Sequence, residues 1–227
     1  MFYWLTILSD GGDFFNLFRY ITFRAGGAFI TSLIFGFVFG KPLINLLRRK
    51  QGRGQPIRTD GPESHFSKAG TPTMGGAMIL GALLVSTVLW ARLDNMFVWV
   101  VLFVTVSFGI IGFADDYAKV SKQNTTGVSS KVRLGLGFII ALIASIAASQ
   151  LHPGGLSLKV AIPIMKDTLI PFGILFFPFA MFVIVGTANA VNLTDGLDGL
   201  AIMPVMIAAA ALGVLAYAVG RVDFTQY

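Results

Sequence analysis

A chain of 227 residues that is 55% hydrophobic and 12% charged, with mean hydropathy +0.77, cannot build a water-compatible surface, because a soluble domain carries roughly 25% charged residues. The 17 basic and 11 acidic side chains leave a net charge of +6 and are clustered, so long stretches carry almost none. The absence of cysteine excludes a disulfide framework, a thiolate nucleophile and a Cys-based metal site, and two histidines without an HExxH pattern argue against a zinc hydrolase.

The reading that follows is an all-α polytopic membrane protein, a single transmembrane domain over 1–227. In such a protein loop basicity sets orientation and is not a sign of nucleic acid. Residues 1–20 are no signal peptide: no positive segment precedes the apolar Met1 to Leu8, and Asp10 and Asp13 follow. They read as a short interfacial segment with Trp4, Phe14 and Phe15 at headgroup depth. A spanning helix needs about 20 mostly apolar residues, which predicts six: 21–47, 73–91, 97–114, 134–151, 170–191 and 199–220. Between the fourth and fifth, Leu156 to Pro163 partly alternates behind Pro153-Gly154-Gly155, which predicts a small β-hairpin on the outer face.

Orientation follows from Lys and Arg. Arg48, Arg49, Lys50, Arg53, Arg58 and Lys68 follow the first helix, and Lys119, Lys122, Lys131 and Arg133 follow the third. The other side has Arg92, Lys159, Lys166 and Arg221. Ten against four places 48–72 and 115–133 in the cytoplasm and the N-terminus outside.

Three polar places face the predicted cytoplasmic side. In the first, Lys68 to Gly76, Thr71 and Thr73 are expected to cap the second helix, with Pro72 in its first turn. Such an N-terminus suits a phosphate, and Lys68 adds a full charge. The second is Asp115-Asp116 at the inner end of the third helix. Each carboxylate is disfavoured there by about 0.3–1 kcal/mol from the helix dipole, so either both dangle in water beside Lys119 and Lys122 or a cation offsets their repulsion. Neighbouring side chains diverge by about 100°, so one can hold a metal while the other addresses a substrate. The third is Asn189, Asn192, Asp195 and Asp198, one every third residue, with Gly196 and Gly199 between. That spacing drifts by about 60° per step on a helix, which predicts an irregular turn dense in amides and carboxylates. Oxygen ligands without His or Cys point to a hard cation, Mg²⁺ first, and with it phosphoryl transfer from a soluble nucleotide-like donor to a lipid acceptor.

The runs Gly61 to Gly76 (GPESHFSKAGTPTMGG), Phe113 to Tyr117 (FADDY) and Asn189 to Ala201 (NAVNLTDGLDGLA) resemble the phospho-N-acetylmuramoyl-pentapeptide transferase family (MraY, translocase I). That family is a branch of the polyprenyl-phosphate N-acetylhexosamine-1-phosphate transferases. The resemblance runs through essentially the whole chain and implies a ten-helix bacterial inner-membrane enzyme with its active site cytoplasmic and its N-terminus periplasmic. The implied reaction moves phospho-N-acetylmuramoyl-pentapeptide from UDP-MurNAc-pentapeptide to undecaprenyl phosphate, with Mg²⁺, giving lipid I and UMP. It implies catalytic or metal roles for Asp115 and Asp116, and a substrate pocket lined by Lys68, Thr73, Asn189, Asn192, Asp195 and Asp198. A homodimer is among the assemblies it allows. The family's further metal-binding aspartate and His-rich loop have no counterpart up to Tyr227, so this portion alone is expected to be inactive. Rival readings are a sister transferase with another sugar or lipid, a secondary transporter, and a fragment that acts only as a binding or assembly partner.

Overall fold

The computed structural model describes residues 1–52, 71–123, 126–152, 157–162, 168–194 and 200–220. It is an all-α polytopic arrangement with one two-stranded sheet. Two 3-10 turns, Phe2–Leu8 and Phe14–Arg19, precede α1 (Ile21–Gln51), α2 (Gly76–Trp90), α3 (Met96–Lys122) and α4 (Ser130–Leu151). Strands β1 (Lys159–Ala161) and β2 (Leu169–Pro171), then α5 (Phe176–Thr194) and α6 (Ile202–Val219), complete the described chain. Contacts divide it into Met1–Phe177 and Pro178–Tyr227.

Among the described residues, five helices are long and apolar enough to cross a membrane: α1, α3, α4, α5 with the turn before it, and α6. The remaining expected span, 73–91, is met by α2, which has 15 residues, about 22 Å at 1.5 Å per residue, against a hydrocarbon core of about 30 Å. It starts at Gly76 because the backbone ahead of it is committed elsewhere: Met74 takes φ +70°.

In the first unit, α1 and α2 pack antiparallel through small residues. A Cβ on Gly27, near the start of α1, would lie 2.4 Å from the Trp90 ring at the end of α2, and one on Gly40 would lie 3.2 Å from Met78 Sδ. Glycine permits such close approach where no water drives helices together. Trp90 Nε1 donates to Thr31 Oγ1 at 2.8 Å, fixing the register. Helices α3 and α4 are also antiparallel, with Phe97 against His152 at one end (5.1 Å between rings) and Asp115 against Arg133 at the other. Asn95 and Ser129 cap α3 and α4 by accepting from Phe97 N and Val132 N.

The N-terminal segment is more than a surface strip. Trp4 and Phe14 are exposed, but Phe2 and Phe18 join Phe23 and Trp90 in an aromatic cluster, and Phe18 is buried. The hairpin predicted near 156–163 is present, with Val160 opposite Ile170. The fifth helix was expected from 170, yet Ile170 and Pro171 belong to β2, and Phe172 N–H donates to Leu158 O at 3.0 Å. That ladder delays α5 to Phe176.

In the second unit, no residue of α6 is buried within the chain. A helix apolar all round calls for lipid or further helices as its surroundings.

Candidate functional site

The third helix was expected to end near 114. It runs on to Lys122 and closes with Gln123 in the left-handed region at φ +48°. Asp115 and Asp116 therefore sit on a continuous helix, and their side chains diverge as consecutive helical positions must.

Asp115 points toward α4 and is buried. Its Oδ1 accepts from Val128 N at 2.8 Å, and its Oδ2 meets Lys119 Nζ at 2.7 Å and Arg133 Nη1 at 3.3 Å. Gly127 makes room for this: it has φ +56°, and a Cβ there would lie 2.5 Å from Asp115 Oδ1. Two cations and an N–H offset the unfavourable end of the helix dipole. The carboxylate holds the turn ahead of α4 against α3, and it does not dangle in water.

Asp116 points the other way and keeps about a third of its side chain exposed (31%). Its Oδ2 accepts from Thr73 Oγ1 at 2.8 Å, and its Oδ1 lies 3.5 Å from Lys119 Nζ. Thr73 is in turn gripped by the last residue of α1. Gln51 Nε2 donates to Thr73 O at 3.0 Å, and Thr73 N donates to Gln51 Oε1 at 2.9 Å. This overturns the expected capping role of Thr71 and Thr73. The N-cap of α2 is Gly75, with no side-chain bond, because the Thr73 hydroxyl is used by Asp116 and its N–H by Gln51. Pro72 likewise precedes the helix and does not lie in its first turn.

The structure thus joins Thr73, Asp115 and Asp116 through Lys119, with Gln51, Gly127 and Arg133 as supports. Gln51 and Gly127 carried no visible signal, since their roles rest on contacts across 22 and 12 positions of chain. Asn189 and Asn192 lie in the second unit, on α5, which persists to Thr194 and is no irregular turn at that point. Asn189 Nδ2 donates back to Val185 O and Thr194 Oγ1 to Ala190 O, both at 2.8 Å. Such four-back bonds let polar residues continue a helix. Lys68, Asp195 and Asp198 lie outside the described residues. Among the described residues, no three His, Asp or Glu side chains converge as a metal cluster.

A polytopic helical membrane protein with a carboxylate–lysine–threonine network at one end of its bundle is the class this fold and site define. Residues 98–227 match the model of glycosyl transferase family 4, and the chain belongs to that family. Residues 68–80, which contain Lys68 and Thr73, match phospho-N-acetylmuramoyl-pentapeptide-transferase signature 1. The chain is 74% identical over 227 residues to the phospho-N-acetylmuramoyl-pentapeptide-transferase of Ruegeria pomeroyi and 70% identical over 228 residues to that of Dinoroseobacter shibae. In each case all of this chain aligns, over 63% of the relative's length. The relative of the same name from Maricaulis maris is 57% identical, over 97% of this chain and 62% of its own length.

Proposed function

We propose that this chain is the greater part of a bacterial inner-membrane enzyme that transfers phospho-N-acetylmuramoyl-pentapeptide from UDP-MurNAc-pentapeptide to undecaprenyl phosphate. The products are lipid I and UMP, in a membrane step of peptidoglycan and cell-wall synthesis. The observation that carries the reading is that the signature segment and the aspartate pair are one constellation: Thr73 of the first donates to Asp116 of the second. The names of the relatives at 70–74% identity support the substrate assignment.

Phosphoryl transfer asks the protein for positioning and charge stabilisation. Asp116 is the carboxylate that addresses substrate, being partly exposed, and Thr73 and Gln51 fix its direction. Lys119 brings positive charge within 3.5 Å of it. Asp115 is the positioning partner: it orients Lys119 and Arg133 and is itself fully engaged. The acceptor phosphate oxygen attacks the sugar-proximal phosphorus directly and UMP leaves, since a phosphate oxygen is already an adequate nucleophile. In this reading Lys68, Asn189, Asn192, Asp195 and Asp198 contribute to donor binding, an assignment that rests on the resemblance of their motifs.

A bound Mg²⁺ would draw on one or two carboxylates, leaving the rest of its demand to phosphate and water oxygens. Asp116 fits that demand; Asp115 does not, because its oxygens already meet two cations and an N–H. When bound, the ion supplies neutralisation of the diphosphate charge. The basic residues of the 48–72 and 115–133 loops support a cytoplasmic placement of this end of the bundle and a periplasmic N-terminus.

The test is a lipid I assay on the full-length protein with UDP-MurNAc-pentapeptide, UDP-N-acetylglucosamine and undecaprenyl phosphate. Turnover is expected only with the muramoyl donor, and Asp116→Asn should lower it by about 10²–10³-fold, on the order of losing one group that stabilises charge in the transition state. Turnover with the glucosamine donor instead would identify a sister transferase.

A further inference from the structure

At the end of the first unit away from Asp115 and Asp116, two arginines share one tyrosine. The guanidinium of Arg24, in the first turn of α1, lies over the Tyr3 ring 4.9 Å from its centroid, and that of Arg92, in the loop after α2, lies 4.7 Å from the same centroid. Their electrostatic situations differ. Arg92 is exposed and forks onto Asp94, with Nη2–Oδ2 at 2.6 Å and Nε–Oδ1 at 3.3 Å. Arg24 is more than nine-tenths buried, and its Nε has no hydrogen-bond partner. Asp94 reaches Arg24 only through space, because its hydrogen bonds go to Arg92, and Asp13 accepts from the Ser9 hydroxyl.

A tyrosine face attracts a guanidinium but offers nothing to the N–H groups at its edge. A buried cation without a hydrogen-bonded counter-charge is costly, and guanidinium edges match the oxygens of a phosphate in pairs. The depth of the site indicates where that phosphate comes from. Trp4, Tyr20 and Trp99 are exposed around it, and such side chains collect at the membrane–water interface. Helix α1, at 31 residues, is about 46 Å long and overreaches the hydrocarbon core, so its first turn falls at headgroup level.

We propose that Arg24, with Arg92 beside it on Tyr3, forms a binding site for the phosphate of an anionic phospholipid headgroup, on the face opposite the carboxylate site. The lipid phosphate meets the part of the Arg24 side chain that stays accessible together with the exposed Arg92, and its acyl chains run down the apolar flank of α1, where Phe29, Leu33 and Phe37 are exposed.

The experiment uses delipidated full-length protein in neutral detergent, titrated with phosphatidylglycerol, phosphatidylcholine or inorganic phosphate. Thermal unfolding is followed by tryptophan fluorescence. Phosphatidylglycerol is expected to raise Tm saturably, and phosphatidylcholine to do so weakly. Arg24→Gln should weaken the apparent affinity for phosphatidylglycerol by about 10- to 100-fold, as expected for lost hydrogen bonds to a charged group. Arg92→Gln, at an exposed position, should weaken it less while leaving turnover unchanged. An equal response to both lipids, or an undiminished response in both variants, overturns the site. A response to inorganic phosphate that matches the phosphatidylglycerol response overturns its assignment to a lipid.

Discussion

Asp115 and Asp116 are neighbours of identical chemistry, separated by what they face. Asp115 meets two cations and a backbone N–H, and Asp116 meets one hydroxyl and a more distant lysine. Asp115→Asn is expected to cost about 1–3 kcal/mol of stability, because Lys119 and Arg133 lose a charge-assisted partner. Asp116→Asn should leave thermal unfolding nearly unchanged while turnover falls. Unfolding curves in detergent beside the lipid I assay separate the two outcomes. At the other end of the first unit, the hydrogen bond from Arg92 holds the Asp94 carboxyl below the usual carboxylate range. A depressed folded-state pKa stabilises above the unfolded value, and the effect is lost as pH falls through the folded one. The Tm difference between wild type and Asp94→Asn should therefore be present at neutral pH and disappear in acid. Asp94 is exposed, so the difference is small and shrinks with salt.

At the level of elements, the site depends on how helix ends are tied. Gln51 closes α1 and clamps the Thr73 backbone from both sides, while Gly127 lets the turn before α4 close over Asp115. Gly127→Ala is expected to destabilise the turn by about 1–3 kcal/mol, from a positive φ and from overpacking against a carboxylate that cannot withdraw. Gln51→Ala should act differently. It frees Thr73 to rotate away from Asp116, so kcat should fall by about tenfold, the worth of roughly one hydrogen bond, with little change in Tm. Steady-state kinetics next to unfolding curves check both. Met74, at φ +70° and buried between the clamp and α2, is part of the same device. A non-glycine residue held there costs of order 1–3 kcal/mol and persists only where its surroundings over-determine it.

For the whole molecule, orientation is the property with the most consequences. A cysteine introduced at Ser157, in the turn leading into β1, is expected to react with an impermeant maleimide in intact cells, and one at Lys122 only after the cells are opened. The reverse pattern would turn the protein over and place the carboxylate site outside. Much of the architecture is legible from residues alone. Apolar runs of about 20 residues and scarce charge leave a bilayer-spanning helical chain as the way to satisfy the backbone. Val160 and its neighbours behind a Pro-Gly-Gly run announce the hairpin for an equally local reason. Asp115, Asp116 and Thr73 stand out because polar groups at a membrane edge are costly unless used. Which aspartate is anchored and which is presented was settled only by packing. Val128, Arg133 and Gly127 come from α4 and the turn ahead of it, Thr73 from the segment before α2, and Gln51 from the end of α1. The same holds for the start of α2 and the end of α3. Local preference placed a threonine cap on α2 and a stop near 114, but long-range hydrogen bonds took the Thr73 hydroxyl for Asp116, and ion pairs to Lys119 and Arg133 carried the helix through Asp115 to Lys122. Propensity and hydropathy act over a few residues, whereas the partners of a buried charge are chosen by whichever chain segments the bundle brings within hydrogen-bonding reach of it.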